Sequence, residues 1–396
     1  MRCLLASILF AITFCPTSRA EWIALPWPAL GATLPVWKPD DFDASKKYPA
    51  IVYYHGTGGE PNATFIHKAT DGKSFILVGM AYRNNERYTY TDQEISDELG
   101  LLGALKRTLV GSLSVDPQRI YVGGFSKGGW HSAMLLDYDR DLAGGLILGG
   151  GVFKERGIPV KFQQPTPIYI GCGRFDGNYP PSIAALVYFR KHGADPTLEA
   201  WPEIAHAIPD KPPEGMRQWL RIQAADAGLE AEAAEWMAVR LAEIGEIENP
   251  VAQWIAHDEF IALPFVKNFG EAVAKTASER IEHLLENPTV ATEKKWRDES
   301  RGILVRESRD KLVTTLQAAS RAHQALAGKA MGTLAGAEAQ QDFERTQKLL
   351  ETADVVTLPA KGGTETITPD LPPTAPSGNP NRGPFFPPGI KVKPAE

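Results

Sequence analysis

The stretch from Arg119 to Leu136 narrows what this chain can fold into more than any other. An apolar run, Arg119 to Gly123, reads as a buried strand. Gly124-Phe125-Ser126-Lys127-Gly128 then fits the pattern G-x-S-x-G, and a helical spacing follows from Trp130 to Leu136. A serine on so tight a strand-to-helix turn needs unusual backbone dihedrals, and a glycine two residues to either side lets strand and helix pass closely. Such a turn lifts the Ser126 hydroxyl above the sheet. It also sets the backbone N–H of Lys127 at a helix N-terminus, where it can face a developing negative charge. With 36 glycines in the chain the five-residue pattern alone carries little. Its weight comes from the strand before it and the helix after it.

The flanking sequence predicts the same architecture. Continuous apolar runs at 50–54, 75–79, 145–149, 167–171 and 197–201 alternate with helical spacings, clearest from Glu94 to Leu109 (Ile95, Leu99, Leu102, Leu105, Leu109) and again from Ile183 to Phe189. Apolar strands separated by helices predict an α/β fold with a mainly parallel sheet and helices on both faces.

A nucleophilic serine in this setting requires a base later in the chain, an acid between the two, and a second hydrogen-bond donor on an earlier strand–helix loop. The earlier loop is His55-Gly56-Thr57-Gly58-Gly59, directly after strand 50–54. Its glycines allow close backbone approach, and the Thr57 N–H is the candidate partner of the Lys127 N–H in an oxyanion hole. The candidate acid is Asp176, in the glycine-flanked loop Gly171 to Asn178. Asp195 and Glu203 compete less well, one lying before the last strand and the other crowding the histidine in sequence. Of the eight histidines, His192 and His206 follow Asp176 in this part of the chain. His192 ends a helical run, where capping explains it. His206 follows the last strand and is the candidate base. His55 and His131 are expected to be structural, and His257, His283 and His323 lack ligand spacing. No metal or organic cofactor is expected.

Together, His55 to Gly59, Gly124 to Gly129, Asp176 and His206 resemble the secreted esterases grouped with polyhydroxybutyrate depolymerases, feruloyl esterases and acetylxylan esterases. The resemblance spans roughly residues 45–222. It implies an α/β-hydrolase fold and carboxylic ester hydrolysis through an acyl-serine intermediate, on a small or polymer-linked ester. The chain departs from that group in two ways. Many of its members carry disulfides, and Lys127 stands where a smaller or neutral residue is expected.

The ends of the chain are of different character. Residues 1–20 read as a signal peptide: Arg2, an apolar core from Leu4 to Phe14, and a small-x-small site at Ser18-Arg19-Ala20. The apolar run is short for a membrane span, so no transmembrane helix is expected and the protein is expected to be exported to the periplasm or beyond. Cleavage would leave Cys172 as the sole cysteine, a buried structural thiol with no disulfide to form, and would take the net charge from −6 to −8. No dense basic cluster is present, so no nucleic-acid partner is expected. After an α/β portion over 21–225, residues 226–355 lose their strand-like runs and predict three to five helices, an all-α extension packed together or on the sheet portion. From 356 onward, ten prolines fall between Pro359 and Glu396 and predict a disordered tail. Extension and tail are the candidate segments for a protein or cell-surface partner. Two alternatives to ester hydrolysis remain: a peptidase or acyltransferase of the same fold, and a non-catalytic binding protein acting through its helices.

Overall fold

The computed structural model describes residues 21–353, apart from 41, 84–89, 154–160 and 309–312, together with 393–394. The expected signal peptide and nearly all of the Pro-rich tail lie outside the described residues.

The described residues open with a hairpin that the sequence does not announce, β1 (Glu21–Trp27) and β2 (Ala32–Lys38). Pro26 and Pro35 obscure it, because proline cannot donate to a ladder. Pro35 is tolerated because β2 meets its inner neighbour only at Val36 and Trp37. There follow β3 (Tyr48–Tyr54), α1 (Thr64–Ala69), β4 (Ile76–Met80), α2 (Asp92–Ser112), β5 (Val115–Phe125), α3 (Lys127–Tyr138) and β6 (Gly144–Leu148). The sheet portion ends with β7 (Pro167–Gly173), α4 (Tyr179–Lys191), β8 (Asp195–Trp201) and α5 (Glu214–Ala224). Local chemistry sets the start of α2. Thr91 Oγ1 accepts from the Glu94 N–H at 3.2 Å while Glu94 Oε2 accepts from the Thr91 N–H at 2.7 Å, a reciprocal capping box.

Across the sheet the strands run β1-β2-β4-β3-β5-β6-β7-β8. β2 is antiparallel to β1 and β4, and the remaining pairs from β4 to β8 are parallel. This is the α/β-hydrolase fold. Alternation along each strand divides the core in two. Ala50, Val52 and Tyr54 face α2, α3 and α4, whereas Ile51 and Tyr53 face α1 and α5, where Phe65, Ile66, Met216 and Trp219 close the other side. Every residue of β3 is buried. Each large apolar side chain buried this way contributes about 1.5–3 kcal/mol, and the one cysteine among the described residues, Cys172, is free.

Beyond α5 the described residues form seven helices, more than the sequence predicts: α6 (Leu229–Gly245), α7 (Pro250–Ala262), α8 (Pro264–Phe269), α9 (Glu271–Leu284), α10 (Pro288–Glu307), α11 (Val313–Lys329) and α12 (Leu334–Ala353). Pro250, Pro264 and Pro288 begin helices rather than interrupting them, since the first turn has no acceptor for the missing N–H. Asn249 and Asn287 cap two of these starts through their side chains. The helices pack on the sheet portion. The Phe265 N–H donates to Gln218 Oε1 at 3.2 Å, Lys267 Nζ donates to Thr197 Oγ1 at 3.2 Å, and α10 lies against α4. Among the described residues no helix is long and apolar enough to cross a membrane. Within the tail expected to lack structure, Lys393–Pro394 forms a two-residue strand, β9, parallel to Ile23 and Ala24 at the free edge of β1.

Candidate active site

The turn between β5 and α3 has the geometry its glycines predict. Ser126 sits at φ 56° and ψ −119°, a conformation that costs a non-glycine residue about 1–3 kcal/mol and persists only where the surroundings impose it. The Ser126 N–H donates to Leu148 O of β6 at 2.8 Å, and Ser126 O accepts from the Trp130 N–H at 3.1 Å. A Cβ on Gly124 would stand 2.5 Å from Gly128 C, and one on Gly128 would stand 2.8 Å from Tyr54 C. Strand, turn and helix are therefore too close for any side chain at either glycine.

Two loops beyond the same sheet edge complete the constellation. After β7, the loop carrying Asp176 folds over its own backbone, and Asp176 Oδ1 accepts from the Asn178 N–H at 2.8 Å. After β8, the loop carrying His206 is drawn against it. The Phe175 N–H donates to Ile204 O at 3.0 Å, and a Cβ on Gly173 would stand 2.5 Å from the same oxygen. His206 Nδ1 lies 2.8 Å from Asp176 Oδ2, and His206 Nε2 lies 2.8 Å from Ser126 Oγ. A neutral imidazole with its proton on Nδ1 donates to the carboxylate and keeps Nε2 as acceptor for the serine hydroxyl. The Phe125 ring stacks on the imidazole at 5.0 Å. Asp176 and Ser126 are buried, while the His206 side chain keeps 27% of its surface. A hydroxyl held in this way can pass its proton to the imidazole as it attacks a carbonyl carbon.

The competing residues lie elsewhere. Asp195 is exposed at the opposite end of β8, and Glu203 is exposed with its own backbone at φ 56°. His192 caps the end of α4, its Nδ1 2.7 Å from Tyr188 O. His131 is fully buried, with Nδ1 2.9 Å from Tyr90 Oη. His283 is exposed, whereas His257 and His323 are buried. Cys172 is buried, and burial pushes its thiol well above the usual range.

For the two donors, Lys127 is the first residue of α3, where backbone N–H groups have no intrahelical acceptor. Thr57 is half-buried on the loop after β3, and that loop runs beside the serine: a Cβ on Gly56 would lie 3.6 Å from Ser126 Cβ. The loop is anchored from behind. Tyr82 Oη donates to His55 O, and His55 Nδ1 lies 2.7 Å from Gly56 O. What sequence reading missed is the Lys127 side chain, considered there for its backbone alone. It is 1% exposed, with Nζ 4.5 Å from the Tyr82 ring centroid, in an aromatic nest with Tyr54, His55 and His131. Burial, reinforced by this cation, pushes the His55 pKa down to about 4 and that of His131 down to about 3. A lysine after a serine carries no sequence mark of being buried. Among the described residues no three His, Cys, Asp or Glu side chains are grouped so as to hold a metal ion.

No family model matches the chain. It is 27% identical over 138 residues to a probable carboxylesterase SOBER1-like of Arabidopsis thaliana, covering 32% of this chain and 52% of that protein. It is 28% identical over 105 residues to the putative hydrolase MhqD of Bacillus subtilis (strain 168), covering 26% of this chain and 52% of the relative. The chain thus spans about half the length of the curated relatives it matches. Among solved structures it is similar to a Bacillus cereus carboxylesterase, with 17% identity, a TM-score of 0.41, and 48% of this chain and 93% of that one covered. A carboxylesterase from Mesorhizobium loti matches with 16% identity and a TM-score of 0.41, over 52% of this chain and 99% of that one.

Proposed function

We propose that this chain is a serine hydrolase of carboxylic esters, with Ser126 as nucleophile, His206 as general base and then general acid, and Asp176 holding the imidazole. The observation that carries this reading is the unbroken line from Asp176 Oδ2 through His206 to Ser126 Oγ, with 2.8 Å at each step, ending on a serine in a strained turn. His206 takes the hydroxyl proton as Ser126 Oγ attacks the ester carbonyl. The N–H groups of Lys127 and Thr57 receive the oxyanion, and His206 then protonates the departing alcohol. Water, admitted on the exposed side of His206, repeats the sequence on the acyl-serine and restores the enzyme. Removal of residues 1–20 and export form part of the same proposal. So does a small or polymer-linked ester as substrate, in keeping with the motifs shared with secreted esterases.

The test pairs the full chain with Ser126→Ala, measuring hydrolysis of short p-nitrophenyl esters and labelling by a fluorophosphonate probe. Turnover and labelling by the parent, both abolished in the variant, are expected. A folded parent that neither labels nor turns over would overturn the proposal.

A further inference from the structure

Hydrolysis by the route above has no evident need of residues 229–353, yet α12 grips the loop that carries Asp176. Arg174 lies two residues before that aspartate. Its guanidinium meets Asp342 of α12 in a two-pronged pair, Nη1 to Oδ1 at 2.9 Å and Nη2 to Oδ2 at 2.8 Å. Glu338, one turn earlier on α12, lies 3.5 Å from the same guanidinium, which also sits 4.9 Å from the Tyr179 ring centroid. On the far side of Asp176, a Cβ on Gly177 would lie 3.4 Å from Leu349 of α12. One helix thus holds the acid loop at residues 174 and 177, with Asp176 between.

Asp342 is itself fixed from within. Arg345 Nε donates to Asp342 Oδ1 at 3.3 Å, and its other nitrogens pair with both oxygens of Glu307 on α10 at 2.6 and 2.8 Å. Glu307 Oε2 also lies 3.2 Å from His323 Nε2 on α11. All four side chains are buried. Burial pushes the Asp342 and Glu307 carboxyls up, but the neighbouring guanidinium groups outweigh it and hold both below the usual carboxylate range. Apolar packing could have joined these helices as firmly, since a buried ion pair adds little stability over a well-packed apolar replacement. A forked guanidinium–carboxylate pair instead fixes direction.

We propose that Arg174 is a positioning residue: held by Asp342, it fixes the loop of Asp176 so that the carboxylate stays in line with His206, and α10 to α12 thereby become a working part of the site. The inference rests on the serine-hydrolase reading and is tested so that the two can fail separately. In the full chain, Arg174→Met should lower kcat and the fluorophosphonate labelling rate by about 10- to 100-fold, the scale of a misplacement of up to an ångström, and leave KM nearly unchanged. Arg174→Lys, which keeps the charge without the fork, should recover part of the loss. Leu349→Ala, which leaves every charge in place, should give a smaller loss of the same kind, and it decides the matter if Arg174→Met does not fold. The low-field proton resonance of the His206 Nδ1–H should weaken or vanish in Arg174→Met, a readout that does not depend on turnover. Variants that fold, with kcat, labelling and that resonance all as in the parent, would overturn the inference. If the parent neither labels nor hydrolyses, the resonance alone decides it, and the failure belongs to the hydrolase reading.

Discussion

Replacing Gly128 by alanine sets two known magnitudes against each other. In a helix, alanine is favoured over glycine by about 0.5–1 kcal/mol. At Gly128, however, the added Cβ would stand 2.8 Å from Tyr54 C and 2.9 Å from His55 O, and closer still to Tyr54 O. These are backbone atoms at the end of β3, a strand paired to β4 on one side and β5 on the other, so they cannot turn aside as a side chain would. Overpacking of this kind costs about 1–3 kcal/mol or more, which exceeds the helical gain. The peptide that must yield also begins the loop bearing Thr57, so an ångström of movement there should slow acylation about 100-fold. Gly100 supplies the control. It lies exposed within α2 with nothing within 4 Å of an added Cβ, so Gly100→Ala should stabilise by the full helical term of about 0.5–1 kcal/mol. Urea unfolding midpoints and fluorophosphonate labelling rates, taken on both variants at low temperature, measure the two effects. A Gly128→Ala protein as stable as its parent and labelled as fast would refute the close crossing of β3 and α3.

Asp176→Asn should lower kcat by roughly 1,000- to 10,000-fold with little change in KM, because the amide no longer favours the Nδ1–H tautomer; a loss under tenfold would remove Asp176 from its role. Stability should fall as the medium is acidified. Burial keeps His55 and His131 neutral in the fold, at about 4 and about 3 against 6.5 for the unfolded chain. The unfolded state therefore takes up protons that the folded state refuses, and the stabilisation present above pH 6.5 is lost towards pH 4 at about 1.4 kcal/mol per pH unit for each histidine. His131→Leu should flatten the decline of the urea midpoint between pH 6.5 and 4.5, and an unchanged slope would rule out His131 as a source.

What the sequence determined by itself rests on local physics. The alternation of apolar runs with helical spacings follows from side-chain periodicity, and it predicts the parallel sheet flanked by helices. Glycines at 124 and 128 around Ser126 report a backbone crossing that local sequence already demands, and the chain order Ser126, Asp176, His206 narrows the candidates. The tertiary structure decided the rest. Asp176, and not Asp195 or Glu203, meets His206 because β7 and β8 are neighbours that release their loops at one edge, where Gly173 lets the two backbones nearly touch. The hairpin of β1 and β2 forms although its ladder sets Pro35 opposite Ala24 and Pro26 opposite Thr33, because β4 meets β2 only at Val36 and Trp37 and asks no hydrogen bond of Pro35. Lys127 turns inward because an aromatic nest from three separate segments, residues 54–55, 82 and 131, receives it. The pairing of Arg174 with Asp342 joins residues 168 positions apart, and no local pattern in either segment names the other. Hydrogen bonds along a strand or helix leave their period in the sequence, whereas contacts between distant elements depend on how the whole core closes.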